Sequence, residues 1–154
     1  MSTVITGASG HLGRLIVDQL LAAGTSSAQI VATGRDTDKL ADLAQAGVAV
    51  RRADFADPTT LDDAFAGAET MVLVSTTTVG ERFDNHRNAI DAARRAGVSR
   101  IVYTSIVNAS TARMTLADEH RSTAAPRTTC GRAVRRSSSC ATGGTWRTTP
   151  TSSR

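Results

Sequence analysis

The sequence predicts an α/β fold: a doubly wound parallel sheet of five strands in the order 3-2-1-4-5, truncated and followed by an irregular tail. Two observations predict it. Over the first 105 residues, short apolar runs alternate with amphipathic stretches of helical period. The apolar runs are apolar on both faces, which is typical of strands that helices cover twice. The 154 residues are enough for one domain.

The predicted elements follow one another at regular intervals. The predicted strands are the apolar runs at residues 3–6, 30–33, 48–50, 70–75 and 100–105. The predicted helices have apolar residues at helical spacing, and they cover residues 12–23, 36–46, 58–65 and 81–96. Glycines end the three longer helices, at Gly24, Gly47 and Gly97. Pro58 stands at the start of the short helix, where its missing N–H costs nothing.

A glycine-rich loop joins the first predicted strand to the first predicted helix. Its glycines are spaced G-x-x-G-x-x-G, which allows a tight turn, close approach of backbone N–H groups to a pyrophosphate, and close helix–strand packing. The helix N-terminus then faces the phosphates with its partial positive charge. The sequence therefore predicts a Rossmann-like dinucleotide site that includes Thr6, Gly7, Ser9, Gly10, His11, Leu12 and Gly13.

Arg35 follows the second predicted strand, where the adenosine ribose of a dinucleotide would lie. An acidic residue there would accept hydrogen bonds from the 2′-OH of NAD, whereas an arginine pairs better with the 2′-phosphate of NADP. We therefore expect NADP(H) to be preferred over NAD(H). The alternative is an ordinary solvated arginine at a helix start, beside Asp36 and Asp38.

Asp54 and Phe55 end the third predicted strand, at the next edge of the same crevice. They could place a carboxylate and a ring against the adenine, so both are predicted to bind the cofactor. The alternative role, a helix cap before Pro58, fits Asp57 better than Asp54.

Several segments of residues 1–120 carry a family resemblance. They are Val-Ile-Thr-Gly-Ala-Ser-Gly-His-Leu-Gly at 4–13, Ala-Thr-Gly-Arg at 32–35, Arg-Ala-Asp-Phe at 52–55, Leu-Val-Ser-Thr at 73–76, His-Arg-Asn-Ala-Ile-Asp-Ala-Ala at 86–93, Gly-Val at 97–98, Tyr-Thr-Ser at 103–105 and Leu-Ala-Asp-Glu-His at 116–120. Together they resemble the NmrA-like atypical short-chain dehydrogenases, and within that group the flavin-free NAD(P)H:quinone oxidoreductases (type 2).

The resemblance implies an NAD(P)H-dependent oxidoreductase with NADPH in the glycine loop. It also implies hydride transfer to a quinone-like small molecule above the ends of the fourth and fifth strands. An NmrA-type regulatory protein that senses NAD(P) without turnover is the alternative. His120 matches a family stretch at the substrate mouth, but neither triad nor metal spacing surrounds it, and no metal site is predicted.

Polar residues at the ends of the fourth and fifth strands are the candidates for chemistry. Ser75 and Thr76 are expected to touch the nicotinamide ribose or the pyrophosphate. Tyr103 and Ser105 end the fifth strand, where family substrates approach, and alternation puts only one or two residues of 103–105 into the crevice. Tyr103, Ser105 and His86 are the catalytic candidates, with a structural or surface role as the alternative for His86.

The Tyr-x-x-x-Lys pair of typical short-chain dehydrogenases is absent. Val107 stands four residues after Tyr103, and Lys39 is the single lysine of the sequence. This argues against general-acid reduction of an alcohol or ketone by the usual route. It fits a quinone acceptor better, or a redox sensor that binds the nucleotide without turning it over.

The net charge of +4 and the pI near 10 belong to the last part of the chain. Residues 1–120 hold eleven basic and fourteen acidic residues, whereas residues 121–154 hold seven arginines, fourteen Ser or Thr and no acid. Such a segment cannot bury a core. The sequence therefore predicts an NAD(P)-binding domain over 1–120, with no nucleic acid partner, and a disordered low-complexity tail over 121–154.

A reading-frame slip explains the tail. Joining the third base of each codon to the first two of the next permits the string FVVLRNGWYLENYTDEL over residues 136–153, which resembles the family's continuation. A genuine Arg/Ser-rich tail that binds nucleic acid or an acidic partner is the alternative. Either way, the edge of the fifth strand is expected to be uncovered and to favour aggregation.

The chain shows neither a run of 18 apolar residues nor a charged-then-apolar leader. We therefore expect no membrane span, no secretory signal and a cytoplasmic location. The oligomeric state is not readable from the sequence.

Overall fold

The structure is a computed structural model that describes residues 2–76 and 81–105 and the backbone of 144–147. In these residues six strands form a sheet in the order β3-β2-β1-β4-β5-β6. The strands are β1 (Thr3–Ile5), β2 (Ile30–Gly34), β3 (Ala49–Arg52), β4 (Thr70–Leu73), β5 (Arg100–Tyr103) and β6 (Gly144–Arg147). The first five pair in parallel, which confirms the predicted order 3-2-1-4-5.

Helices connect the parallel strands. They are α1 (His11–Ala22), α2 (Ala41–Gln45), α3 (Leu61–Phe65) and α4 (Arg82–Arg95). The single helix predicted over 36–46 is divided, because a 3₁₀ turn at Asp38–Leu40 precedes α2 and Leu40 leaves helical dihedrals (φ −114°, ψ 10°). The short helix after Pro58 likewise begins with a 3₁₀ turn, Pro58–Thr60.

The sheet carries a separate apolar core on each face. Neighbouring residues of a strand point to opposite faces, so Val4 packs in the core with α3 and α4, and Ile5 packs in the core with α1 and α2. Phe65 is the largest fully buried side chain of the α3–α4 core. The two-sided burial that the strand composition predicts is therefore present.

The sixth strand is the main difference from the prediction. Gly144–Arg147 pairs antiparallel with β5, with Arg147 opposite Arg100 and Gly144 opposite Tyr103. The expectation of an uncovered β5 edge is therefore wrong, and these four residues of the predicted irregular tail form a strand. The edge of a strand offers N–H and C=O groups with which any extended backbone can pair. Such pairing does not require the added segment to bury a core, which is all that its composition had excluded. His120 and the rest of 121–154 lie outside the described residues.

Candidate functional site

A cleft of about 530 Å³ opens at the carboxyl ends of the parallel strands. It lies where β1 leads into α1 on one face of the sheet and β4 leads towards α4 on the other face, which is where open α/β sheets bind ligands. Eleven of the twelve residues predicted to bind a cofactor line it: Gly7, Ser9, Gly10, His11, Leu12, Gly13, Arg35, Asp54, Phe55, Ser75 and Thr76. The twelfth, Thr6, is fully buried beneath it.

The phosphate wall, residues 7–13, owes its shape to its glycines. Gly7 has a φ of +62°, in the region that favours glycine. A Cβ at Gly13 would collide with the Gly7 carbonyl oxygen and lie 2.9 Å from the Ala8 Cα, so α1 can approach β1 closely only with glycine there. Backbone hydrogen bonds fix the turn: Gly10 N–H donates to the Gly7 carbonyl, and Ala8 N–H donates to that of Thr33, both at 2.9 Å.

The N-terminus of α1 is open towards the cleft. Its N-cap is Gly10, which supplies no side-chain hydrogen bond, and the first turn contains no acidic residue. His11, Leu12 and Gly13, the first three residues of the helix, all line the cleft. A helix end with uncapped N–H groups and a partial positive charge fits an anionic group such as a pyrophosphate.

The opposite wall, residues 74–76, is held by side chains and is called the β4 wall below. Val74 N–H donates to Thr6 Oγ1 at 2.9 Å, and Ser75 N–H donates to Thr104 Oγ1 at 2.9 Å. Thr6 stands directly after β1 and Thr104 directly after β5, the two strands that flank β4. The neighbouring strands therefore position the β4 wall with one hydroxyl each.

Thr76 is held at both of its backbone polar groups. Its N–H donates to His86 Nε2 at 3.1 Å, and its carbonyl accepts from Arg82 Nε at 2.6 Å. Its own hydroxyl oxygen is buried without a hydrogen-bond partner among the described residues. A buried hydroxyl of a cleft-lining residue left in this state fits a polar ligand group.

The three catalytic candidates take different positions. His86 is fully buried, Tyr103 is 3% exposed, and Tyr103 Oη lies 3.5 Å from His86 Nδ1. Ser105 is exposed, and none of the three is among the residues that line the cleft. Thr104, directly after β5, lines the cleft instead. Side chains alternate along the strand, so Tyr103 turns to the core and Thr104 to the cleft. The structural alternative fits His86 better than contact with a substrate.

Arg35 lines the cleft at the end of β2 and is exposed. It forms no ion pair with any described residue. The carboxylate next to it, Asp36, pairs instead with Lys39 at 3.5 Å. The guanidinium is therefore available for an anionic ligand group. A Cβ at the neighbouring Gly34 would lie 3.2 Å from Ser9 Oγ, so a larger residue there would require the Ser9 side chain to shift.

The two acidic residues of the loop after β3, Asp54 and Asp57, take different positions. Asp54 lines the cleft, and its Oδ1 accepts from Ala56 N–H at 3.1 Å. Asp57 caps the 3₁₀ turn that begins with Pro58, and its Oδ1 accepts from Thr59 N–H at 3.2 Å. The Thr59 hydroxyl, at 2.6 Å from the same oxygen, holds the pKa of the Asp57 carboxyl below its usual range. The cap role of Asp57 is confirmed.

Sequence reasoning missed several cleft residues. Most of them lie within two residues of a predicted one at a strand end, where the strand-end rule could have found them: Thr33, Gly34, Ala53, Ala56 and Val74. Thr104 is one of the residues 103–105, of which one or two were expected in the crevice. Glu81 and Asn85 come from the beginning of α4 and belong to no local motif. They reach the cleft only because α4 packs beside β4 and β5, which no sequence signal reports.

The described residues contain neither a membrane-spanning helix nor a metal-binding cluster. None of the helices there has the length and apolar character needed to cross a membrane. Within the same part of the chain, no group of three or more His, Cys, Asp or Glu side chains is placed to hold a metal ion.

Comparison with known sequences gives consistent relatives. A family model described as NAD(P)H-binding matches residues 7–138. Quinone oxidoreductase 2 of Escherichia coli is 45% identical over 116 residues, which cover 75% of this chain and 40% of that protein. An NmrA-like family domain-containing oxidoreductase of Aspergillus flavus is 33% identical over 110 residues, which cover 69% of this chain and 36% of that protein. The chain thus spans well under half the length of these relatives.

Two solved structures that are similar to this chain are complexes with NADP(H) or NADPH. Triphenylmethane reductase of Citrobacter sp., complexed with NADP(H), superposes with a TM-score of 0.78 at 36% identity, covering 80% of this chain and 44% of that one. An NADPH-dependent quinone oxidoreductase of E. coli, complexed with NADPH, gives a TM-score of 0.73 at 44% identity, covering 79% of this chain and 43% of that one.

Proposed function

Because this chain belongs to the NAD(P)H-binding family and is NmrA-like, we propose that it is the nucleotide-binding part of an oxidoreductase that transfers hydride from NADPH to a quinone-like acceptor. The observation that carries the proposal is the phosphate wall, in which an uncapped helix N-terminus faces a cleft that glycines keep open. The quinone-like acceptor rests on one relative, quinone oxidoreductase 2 of E. coli, which this chain resembles both in sequence and in solved structure.

The residues present fit such a cofactor along the whole cleft. The N-terminus of α1 would hold the pyrophosphate, and Arg35 would pair with the 2′-phosphate. Asp54 and Phe55 would lie at the adenine, and Thr76 at the nicotinamide ribose. When bound, NADPH supplies the hydride itself.

The chain's own residues bind and orient rather than react. His86 and Tyr103 are buried away from the cleft lining, so we assign no proton transfer to either. At the ends of β4 and β5, Thr104 Oγ1 donates to Ser75 Oγ at 3.4 Å, so the Ser75 hydroxyl would be the one that donates a hydrogen bond to an oxyanion developing on the acceptor. Hydride transfer to a quinone needs no further covalent help from the protein.

Cofactor choice is tested with Arg35→Ala. Loss of a charge-assisted pair with the 2′-phosphate is worth roughly 1.5–3 kcal/mol, so we expect the Kd for NADPH to rise about 10- to 100-fold. The Kd for NADH, which lacks that phosphate, should change less than about threefold. Arg52→Ala is the matched control, because Arg52 is exposed on the neighbouring strand and does not line the cleft. Equal loss for both cofactors would remove the 2′-phosphate role.

The reaction is tested by steady-state oxidation of NADPH with 1,4-benzoquinone as acceptor. Turnover that saturates with NADPH and weakens in Arg35→Ala supports the proposal. Tight NADPH binding without turnover would instead overturn the oxidoreductase proposal in favour of a protein that only senses the nucleotide.

A further inference from the structure

Helix α4 holds Thr76 through two of its own buried side chains. His86 is fully buried and Arg82 is 3% exposed, and they lie four residues apart on one face of the helix. The first accepts the Thr76 N–H and the second donates to the Thr76 carbonyl, at 3.1 and 2.6 Å. One helix face therefore fixes both peptide groups of a cleft-lining residue.

The hydrogen bond from Thr76 also fixes the state of the imidazole. A nitrogen that accepts an N–H must carry a lone pair, so Nε2 is unprotonated and the neutral ring has its proton on Nδ1. Nδ1 faces the Tyr103 hydroxyl at 3.5 Å, and the ring packs edge-on against Tyr103 and Phe55 with centroids 5.5 and 6.4 Å away. The ring is thus held on three sides and cannot turn freely away from Thr76.

This arrangement is costly for a residue that serves packing alone. Burying an arginine and a histidine away from water is unfavourable unless they are hydrogen-bonded, and apolar side chains would fill the same space without that cost. Here one bond from each side chain goes to the same residue, Thr76, whose hydroxyl is buried at the cleft wall without a partner among the described residues.

We propose that His86 and Arg82 form a two-point clamp that positions Thr76 for the nicotinamide ribose of the cofactor, and that the clamp sets dinucleotide affinity although neither side chain lines the cleft. His86 is on this view a positioning residue. This inference rests on the proposed NADPH site. It adds two residues of α4, outside the glycine loop, to those that determine affinity at that site. Small displacements of a group that binds a ligand are enough to weaken binding strongly.

The test compares two substitutions of His86. His86→Leu keeps an apolar volume and removes the acceptor, whereas the Oε1 of His86→Gln can still accept the Thr76 N–H. In His86→Leu we expect hydrogen exchange of the Thr76 amide, measured by NMR without cofactor, to become about tenfold faster or more. We expect the Kd for NADPH to rise about tenfold. His86→Gln should return both values to within about threefold of the unmodified chain.

Arg87→Ala is the control on the same helix, since Arg87 is exposed and pairs only weakly with Asp91, at 3.9 Å. It should leave Thr76 exchange and NADPH affinity unchanged. Should His86→Leu fail to fold, Arg82→Met removes the donor to the Thr76 carbonyl and tests the other point of the clamp through the Kd for NADPH, which should rise about tenfold.

The outcomes separate this inference from the proposed function. Unchanged exchange of Thr76 in a folded His86→Leu protein, or an unchanged Kd for NADPH in a folded Arg82→Met protein, overturns the clamp. Faster exchange with an unchanged Kd for NADPH, or failure of His86→Gln to restore affinity, overturns the positioning role and leaves a structural one. If the unmodified chain does not bind NADPH, the proposed function fails, and the clamp on Thr76 is then decided by the exchange rates alone.

Discussion

The two walls of the cleft are built in opposite ways. The phosphate wall is held by backbone hydrogen bonds, one within the wall from Gly10 to Gly7 and one from Ala8 to Thr33 of β2, and by the absence of side chains, as the crowded site at Gly13 shows. The β4 wall is held by side chains from other elements, which lie 10 residues away for His86 and 68 residues away for Thr6. One cleft therefore combines a wall shaped by its own glycines with a wall that exists only after β1, β4, β5 and α4 have assembled.

The largest expected effect is at the phosphate wall. Gly13→Ala places a Cβ against the Gly7 carbonyl group and 2.9 Å from the Ala8 Cα, and these backbone atoms can yield only if α1 moves away from β1. We expect the free energy of unfolding, measured in urea, to fall by about 3 kcal/mol.

Gly10→Ala is the matched control for that prediction. Its Cβ would lie 3.3 Å from the Gly7 carbonyl oxygen, and the φ of Gly10 is −92°. A loss of about 1 kcal/mol or less is expected. Equal losses at the two glycines would show that helix–strand spacing does not define this wall.

The next effect is at the base of the β4 wall. Thr6→Val removes the acceptor of the Val74 N–H in a fully buried position, and a buried donor without a partner costs about 2 kcal/mol of unfolding free energy. Thr33→Val is the comparison, because the Thr33 hydroxyl, also buried, donates to the Ile5 carbonyl and its loss strands no N–H. It should cost about 1 kcal/mol. A reversed order in urea unfolding would contradict the role given to Thr6.

A smaller effect is expected at the open side of the same wall. Thr104→Val removes the acceptor of the Ser75 N–H, but the site is only half-buried, so water can replace part of the bond. We expect about 1 kcal/mol of lost stability and a rise in the Kd for NADPH of about threefold to tenfold. Thr104→Ser keeps the hydroxyl and should restore affinity. Unaltered affinity in Thr104→Val would mean that Thr104 serves the sheet and not the site.

The smallest effect lies outside both walls, where Arg14 of α1 pairs with Asp42 of α2. The Arg14 guanidinium, by its hydrogen bond, holds the pKa of the Asp42 carboxyl below its usual range. A carboxyl whose pKa is lower in the folded chain stabilises it above its unfolded pKa, near 4, and this contribution disappears as the pH falls through the folded pKa. Asp42→Asn should therefore be slightly less stable than the unmodified chain at pH 7 and equal to it near pH 2. A difference in urea midpoint that persists at the lower pH would contradict the pairing.

The sequence predicts the local features of the molecule well. The order of the five parallel strands and the placement of the glycine loop follow from period and spacing, because each signal lies within a few neighbouring residues. The cap at Asp57 is also a local feature, because Asp57 accepts the N–H of Thr59, two residues further along the chain. Arg35 was placed correctly at the cleft because the end of a strand fixes where the next residue lies.

The long-range features were not predictable in this way. The partners of Thr76 come from α4, and no motif reports that a buried histidine and arginine will meet one backbone group. The division of the helix before α2 depends on the burial of Leu40, which is a tertiary contact. The pairing of β6 with β5 joins backbone segments that are far apart in the sequence, so no local pattern reports it.

The two apolar cores on the faces of the sheet differ in the length of chain they need. The fully formed core beside α1 and α2 draws its buried members from Ile5 to Val48, whereas the core beside α3 and α4 extends from Val4 to Tyr103. Contacts that are close in sequence close small loops and form early. As the chain leaves the ribosome, we therefore expect the first core and the glycine turn to form before the α3–α4 core is complete. The phosphate wall would then be the template on which the later strands dock.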